Sequence, residues 1–317
     1  MNHHLSKKKT DSSRSRRIEM KVVHTIAEVR QWRALFAGSA KIGFVPTMGC
    51  LHEGHASLIK QSKQDNDFTV VSIFVNPSQF APTEDLDQYP RTMDADMTLL
   101  KSLGVDLLFA PTAKVMYPQG IPLDVEKQRG PFVSVLGVSE MLEGKTRPNF
   151  FRGVATVVLK FLNIITPTVA YFGQKDIQQF VVLNTMCNEL FVNTTLIMMP
   201  IVRGTEGLAL SSRNKYLCDE SLQIANNLYR GLHAAETMLT QQRAVCTRES
   251  LLDTVQKIWQ PFIDQGDFKV DYVSFADWTT LEEVNKFDGK VIISCAVYVK
   301  DRKDTTRVVR LIDNVVV

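Results

Sequence analysis

From Lys41 onward, short runs of apolar and β-branched residues alternate with longer stretches whose apolar positions recur every three or four residues. The runs Ile42–Val45, Val70–Val75, Leu107–Ala110, Val169–Phe172 and Leu196–Val202 predict strands. Between them, His55–Gln64, Asp94–Leu103 and Gly153–Ile165 predict helices. Strands alternating with helices imply parallel βαβ units, hence an α/β fold built on a Rossmann-like, doubly wound parallel sheet. Ligands of such sheets bind beyond the carboxyl ends of the strands. Chemistry is therefore to be sought immediately after each apolar run.

The pattern changes after Leu217. Ile224, Leu228, Leu232, Ala235 and Leu239 fall on one helical face, and a second helix is predicted over Ser250–Ile263. Strand-like Val270–Phe275, Val291–Val299 and Arg307–Leu311 follow, with a short turn at Asp301–Asp304. This reads as a smaller C-terminal α+β domain with antiparallel pairing. The expected organisation is a polar tail over 1–20, a doubly wound α/β domain over 21–217 and the α+β domain over 218–317, joined near Cys218–Asp219 without a long linker.

A chain of 317 residues with 44% apolar content has material for two such cores. The formal net charge of +3 is concentrated in the first seventeen residues, where Lys7, Lys8, Lys9, Arg14, Arg16 and Arg17 face Asp11 alone. The body is near neutral or slightly acidic, so nucleic acid is not an expected partner. Nor is a membrane, since no apolar run approaches the roughly 18 residues of a span, and the amino terminus lacks a secretory signal's apolar stretch. The tail, almost free of apolar side chains, is expected to be a solvated extension. Five scattered cysteines with no CxxC pair read as thiols of a reducing compartment, and the expected location is the cytoplasm.

Five stretches carry candidate chemistry. Pro46-Thr47-Met48-Gly49-Cys50-Leu51-His52-Glu53-Gly54-His55 lies where the first strand turns into a helix. Helix amino termini offer unpaired N–H groups to phosphate, and imidazole N–H groups there can add donors to an oxyanion. A zinc reading of the two histidines is set aside, because Glu53 is the sole further ligand type nearby. After the second strand come Asn76-Pro77-Ser78-Gln79, whose amides could grip a hydroxy acid. Glu143-Gly144-Lys145-Thr146-Arg147-Pro148 forms a basic loop ahead of Phe150-Phe151-Arg152-Gly153. Phe172-Gly173-Gln174-Lys175-Asp176 offers a point charge for phosphate, with Gln179 one helical turn beyond Lys175. Last, Val202-Arg203 leads into Gly207-Leu208-Ala209-Leu210-Ser211-Ser212-Arg213-Asn214, a loop able to close over phosphates. Neither GxxxxGK[ST] nor a strand-following GxGxxG occurs, which disfavours P-loop and dinucleotide chemistry.

Together, PTMGCLHEGH, IFVNPSQF, DLDQYPRT, FFRGVATVVLKFLNI, YFGQKDIQQ and GLALSSRN resemble the motifs of the pantothenate synthetase (pantoate–β-alanine ligase) family, in that family's order. The resemblance runs from about Val22 to the end of the chain. The wider relatives are HxGH nucleotidylyl transferases, with SSRN resembling their KMSKS-type loop. It implies an ATP-dependent, AMP-forming ligase: pantoate attacks the α-phosphorus, pyrophosphate leaves, and β-alanine displaces AMP from pantoyl adenylate.

The implied catalytic set is His55 with His52, Lys175, Ser211, Ser212 and Arg213. The implied ATP contacts are Met48 through His55 (Met48, Gly49, Cys50, Leu51, His52, Glu53, Gly54, His55), Gly173 through Asp176 (Gly173, Gln174, Lys175, Asp176), Val202, and Leu210 through Arg213 (Leu210, Ser211, Ser212, Arg213). Gln79 and Gln179 are implied to hold pantoate, with Gln79 also near β-alanine. Magnesium would bridge the phosphates with Asp96 as its protein partner, and the family implies a homodimer. There are two departures from the family pattern: Gly204 and Glu206 stand in a stretch commonly reading R-E-x-D-G, and Leu210 stands where methionine is common. The competing enzyme reading is a nucleotidylyl transferase or adenylate-forming ligase acting on a different acid. The competing non-enzyme reading is a binding protein that keeps only the fold, against which the retained His52, His55, Lys175, Ser211 and Arg213 argue.

Overall fold

The computed structural model describes residues 19–317 apart from positions 37, 39, 82–85 and 88. The expectation for the tail thus falls almost wholly outside the described residues, as does Asp85 of the DLDQYPRT stretch.

The first part of the chain runs β1 (Lys21–Val23), α1 (Ile26–Ala34), β2 (Ile42–Thr47), α2 (Glu53–Asp65), β3 (Phe68–Ile73), α3 (Met93–Ser102), β4 (Leu107–Phe109), α4 (Ala113–Met116), α5 (Glu143–Thr146), α6 (Phe150–Ile165), β5 (Val169–Gly173), α7 (Ile177–Glu189) and β6 (Thr195–Met199). Its strands form a parallel sheet in the order β1-β4-β3-β2-β5-β6. Both faces are covered. Ile42, Phe44, Val70, Leu107 and Phe109 pack towards α1 and α6, while Val45, Val71, Ile73 and Leu108 pack towards α2 and α3. Strands buried on both sides read as unbroken apolar runs, which is why the sequence exposes them so clearly.

The expected strand Leu196–Val202 ends earlier, at Met199, because Pro200 has no N–H to continue the ladder. Val202 and Arg203 therefore belong to the loop. Edge strand β1 and helix α1 are additions to the expected elements.

The remainder is α8 (Asp219–Gln242), α9 (Arg248–Asp264), β7 (Phe268–Asp277), β8 (Val291–Lys300) and β9 (Val308–Val316), the strands forming an antiparallel sheet in that order. Ile224, Leu228, Leu232, Ala235 and Leu239 line the buried face of α8, as their spacing predicts, against Phe275, Ile293 and Cys295 of the sheet. The other sheet face meets the first part: Ile292 packs with Val138, Phe151 and Ile177. Arg310 of β9 makes a two-pronged pair with buried Glu143, at 2.6 and 2.7 Å. The two parts touch directly, and the cleft between them holds the site.

In the parallel sheet the winding direction reverses between β2 and β5, since β3 and β4 lie to one side of β2, and β5 and β6 to the other. A ligand crevice opens at the carboxyl ends of strands at such a switch point.

Candidate active site

On one side of that crevice, β2 gives way to a tight loop with positive φ at Gly49 (85°) and Cys50 (52°). Asp96 of α3 holds it: the N–H groups of Cys50 and Leu51 donate to the two carboxylate oxygens at 2.9 and 2.8 Å, and Thr92 Oγ1 donates at 3.1 Å. The loop delivers His52 to the start of α2, where the two histidines cap the helix reciprocally. Gly54 N–H donates to His52 Nδ1 at 3.1 Å, and His52 N–H donates to His55 Nδ1 at 3.3 Å. A Cβ at position 54 would meet the His52 ring at 2.8 Å, so glycine is required for the ring to fold back over the helix end.

This geometry fixes the tautomers. With each Nδ1 accepting, the proton of each neutral imidazole sits on Nε2. Burial, then the neighbouring His52 and Lys175, push His55 down to about 3, and burial with Lys175 and Lys215 also lowers His52. Both rings are therefore neutral donors near pH 7.

Across the crevice, β5 ends at Gly173 and a 3-10 turn, Gln174–Asp176, presents Lys175. The Lys175 ammonium lies 3.8 Å from the Asp176 carboxylate. Two adjacent glutamines of α7 diverge here. Gln178 is buried and spent on the main chain, donating to the carbonyls of Val138 and Met141 and accepting from Glu143 N–H. Both border the cleft, but the Gln178 amide is already engaged, which leaves Gln179 as the one whose side chain can serve a ligand.

Between the two banks lies a corner of amides. Gln79 sits at the end of a 3-10 turn, Pro77–Gln79, with Nε2 at 3.1 Å from Met48 Sδ. Its Oε1 accepts from Asn76 Nδ2 at 3.1 Å. Asn76 is almost wholly buried, and Tyr117 donates to its Oδ1 at 2.8 Å. Burial raises Tyr117 to about 12, which keeps that phenol protonated. Asn76, a candidate ligand group in the sequence, is thus engaged in holding Gln79. A Cβ at Gly153 would meet Ser78 O at 2.2 Å, so this glycine lets α6 press against the turn.

The closing loop is rooted by Arg203, which donates to Asp313 of β9 at 2.6 and 2.8 Å and to Gly207 O at 3.0 Å, and stacks on Tyr229. Burial lifts the Asp313 carboxyl more than Arg203 lowers it. Gly204 N–H donates to Leu208 O, and Glu206 pairs with Arg230 at 2.9 Å. The loop is therefore tied at its root without the acid commonly found at position 204. Further along, Ser211 Oγ accepts from Arg213 N–H, and Lys215 Nζ lies 3.3 Å from Cys50 Sγ, joining this loop to the histidine loop.

These banks enclose a cleft of about 920 Å³. Met48, His52, Gly54, His55, Gln79, Gly173, Lys175, Asp176, Gln179, Val202, Leu210, Ser211, Ser212 and Arg213 all line it, so most of the candidate residues meet in one place. Gly49, Cys50, Leu51, Glu53 and Gln174 are outside its lining: Cys50 is buried, Glu53 faces Lys60, and the Gln174 side chain donates to Asn314.

Asp96, the expected magnesium partner, is 3% exposed and outside the cleft lining, and both its oxygens accept from backbone N–H groups, so in this structure it braces the loop. Among the described residues, no group of three His, Cys, Asp or Glu could hold a metal ion. Of the carboxylates lining the cleft, Glu143 and Asp313 are engaged by Arg310 and Arg203, which leaves Asp176 beside Lys175. Against these stand Arg147, Lys175, Arg213, Arg307 and Arg310, an excess of cations suited to a polyanion. Sequence reasoning assigned no site role to Tyr298, Arg310, Asp313 or Asn314, which the last two strands bring to the cleft. No local motif marks them.

A family model described as pantoate-beta-alanine ligase matches residues 21–316. A pantoate–β-alanine ligase of Saccharomyces cerevisiae is 63% identical over 94% of this chain and all of its own length. The crystal structure of pantothenate synthetase from Thermus thermophilus superposes with a TM-score of 0.80 at 36% identity, covering 93% of this chain and 99% of that one. A pantoate–β-alanine ligase from Francisella tularensis, solved with β-γ ATP and β-alanine, gives a TM-score of 0.71 at 35% identity, covering 93% and 97%.

Proposed function

The chain belongs to the pantoate–β-alanine ligase family and is an ATP-using enzyme that condenses pantoate with β-alanine, and we propose that it does so in the cleft between β2 and β5 through a pantoyl adenylate. The observation that carries this reading is the meeting of two neutral Nε2–H imidazoles, Lys175 and two cleft-facing amides around one switch-point crevice.

A carboxylate is a poor acyl donor because its leaving group would be oxide. In the first step a pantoate carboxylate oxygen attacks the α-phosphorus, the bond to the bridging oxygen breaks, and pyrophosphate leaves. Negative charge grows on the phosphate oxygens, where His52, His55 and Lys175 present donors without a covalent enzyme intermediate. In the second step the neutral amine of β-alanine attacks the acyl carbon, AMP leaves with the bonding pair, and the nitrogen sheds its proton. Gln79 and Gln179 hold pantoate in this reading, and Gln79 lies near the incoming amine. Ser211, Ser212 and Arg213 close over the phosphates from the loop.

Magnesium fits as a passenger of the nucleotide: the cleft offers Asp176 as its one carboxylate without an arginine partner, so phosphate oxygens and water would supply most ligands, and the ion would neutralise phosphate charge. In the same reading residues 21–217 hold ATP and pantoate and 218–317 cover them. The enzyme is a homodimer of the cytosol, where its five unpaired cysteines would stay reduced.

The decisive experiment is exchange of labelled pyrophosphate into ATP with pantoate and magnesium present and β-alanine absent. Adding β-alanine should then release AMP and pantothenate in equal amounts. Formation of ADP and inorganic phosphate would replace the adenylate with an acyl phosphate and overturn the scheme.

A further inference from the structure

Two consecutive residues near the end of β9 reach opposite lips of the nucleotide crevice. Successive side chains of a strand point to opposite faces. Asn314 faces the parallel sheet: its Nδ2 donates to the carbonyls of Gln174 and Lys175 at 2.9 and 3.0 Å, and its Oδ1 accepts from Gln174 Nε2 at 3.2 Å. Asp313 faces α8 and grips Arg203 at the root of the closing loop. Both residues are almost wholly buried. Asp313 Oδ1 also accepts Asn314 N–H at 2.7 Å, which ties the two together.

We propose that Asn314 and Asp313 are positioning residues for adenylation: Asn314 sets the turn that aims Lys175 at the phosphates, and Asp313 sets the root of the loop that brings Ser211 and Arg213. The inference rests on the reading of Lys175 as a phosphate-binding cation. The C-terminal sheet then does more than cover the substrates, because any shift of β9 is delivered directly to the backbone of Lys175. A displacement near 1 Å at a reacting centre costs up to about 10²-fold in rate. The amide of Asn314 suits the task, since a side chain must donate twice to neighbouring carbonyls while accepting once.

Asn314→Asp tests the first half with little change of shape, because it turns the double donor into an acceptor facing two carbonyl oxygens. The expected result is pyrophosphate–ATP exchange reduced at least about 10-fold with a raised KM for ATP, and a KM for β-alanine within about twofold of the unaltered enzyme. A merely structural tie would lower the active fraction and leave both KM values alone, and that result overturns the proposal. Asn314→Ala serves if the aspartate variant does not fold.

Lys175→Met is the reference. Should Lys175→Met keep full exchange, the reading of Lys175 itself fails; should it lose exchange while folded Asn314→Asp and Asn314→Ala retain it, the positioning role alone fails. The double variant Lys175→Met/Asn314→Ala should be little worse than Lys175→Met, because residues acting through one another are not additive. Multiplicative losses would mean that Asn314 acts elsewhere and would sink the proposal. For the second half, Asp313→Asn should raise the KM for ATP at unchanged KM for β-alanine; an unchanged KM for ATP removes Asp313 from the scheme.

Discussion

His52 donates its backbone N–H to Nδ1 of His55 at 3.3 Å, so the second histidine of HxGH acts on the first before either meets a ligand. Helices usually open on a hydroxyl or carboxylate cap. Here imidazoles do that work, and this bond, with the one from Gly54 N–H to His52 Nδ1, commits each ring's proton to Nε2. The cap and the proposed phosphate donors are the same two rings.

His55→Ala should therefore remove both a donor and a cap. Turnover is expected to fall by about 10²-fold or more, the scale of losing one oxyanion donor. The cap loss should destabilise by roughly 0.5–2 kcal/mol, leaving a folded protein. Urea titration and steady-state kinetics on one sample separate the two effects. Near-normal turnover in the folded variant would take His55 out of the mechanism.

The same ring makes the fold acid-sensitive. His55 is held near 3 against an ordinary value of 6.5, so between those limits the unfolded chain binds the proton and the native chain does not. Its contribution is fully favourable to the native state above about 6.5 and is lost as pH falls towards 3, by up to about 1.4 kcal/mol per pH unit. In His55→Gln the stability profile from pH 6.5 to 4 should be flatter than in the unaltered protein. Parallel profiles would show that the imidazole titrates normally.

Gln178 and Gln179 are adjacent amides with different environments, and their variants should part company. Gln178→Ala strands Glu143 N–H and two carbonyls, with a cost of roughly 1–3 kcal/mol in stability. Gln179→Ala, like Gln79→Ala, should raise the KM for pantoate more than it weakens ATP binding. Calorimetric titration with ATP and kinetics with pantoate decide this. Equal losses for both ligands would mean that the cleft amides serve the nucleotide.

How much of this could be read from the sequence follows from where each residue's partners lie. Phe44, Val70 and Leu108 sit in strands buried on both faces, and their apolar runs announced the sheet. Strand β1 has only Lys21, Val22 and Val23, with one buried side chain, too short a signal to register. His55, Lys175 and Gln79 were legible because each closely follows a strand that ends at the crevice. Asn314 was not, since its partner Gln174 is 140 residues away and no local pattern reports the contact. Gln179 was legible from its one-turn spacing beyond Lys175, whereas the role of Gln178 was not, since its partners Val138, Met141 and Glu143 lie 35 or more residues away.

Asp96 gives the last prediction, because two roles for it make opposite forecasts. Its oxygens accept from Cys50 and Leu51, holding a loop whose φ is positive at Gly49 and Cys50. Asp96→Asn must turn an NH₂ towards one of those N–H groups, leaving a buried donor stranded at roughly 1–3 kcal/mol. The loop would relax, His52 would shift at the helix start, and the KM for ATP should rise at saturating magnesium together with a lower Tm. A strut contributes nothing to the ion itself, so the magnesium concentration giving half-maximal rate should stay put. A magnesium ligand would behave the other way: the midpoint would move several-fold while Tm held steady. That second pattern would return Asp96 to the metal and require the carboxylate to leave the backbone when ATP binds.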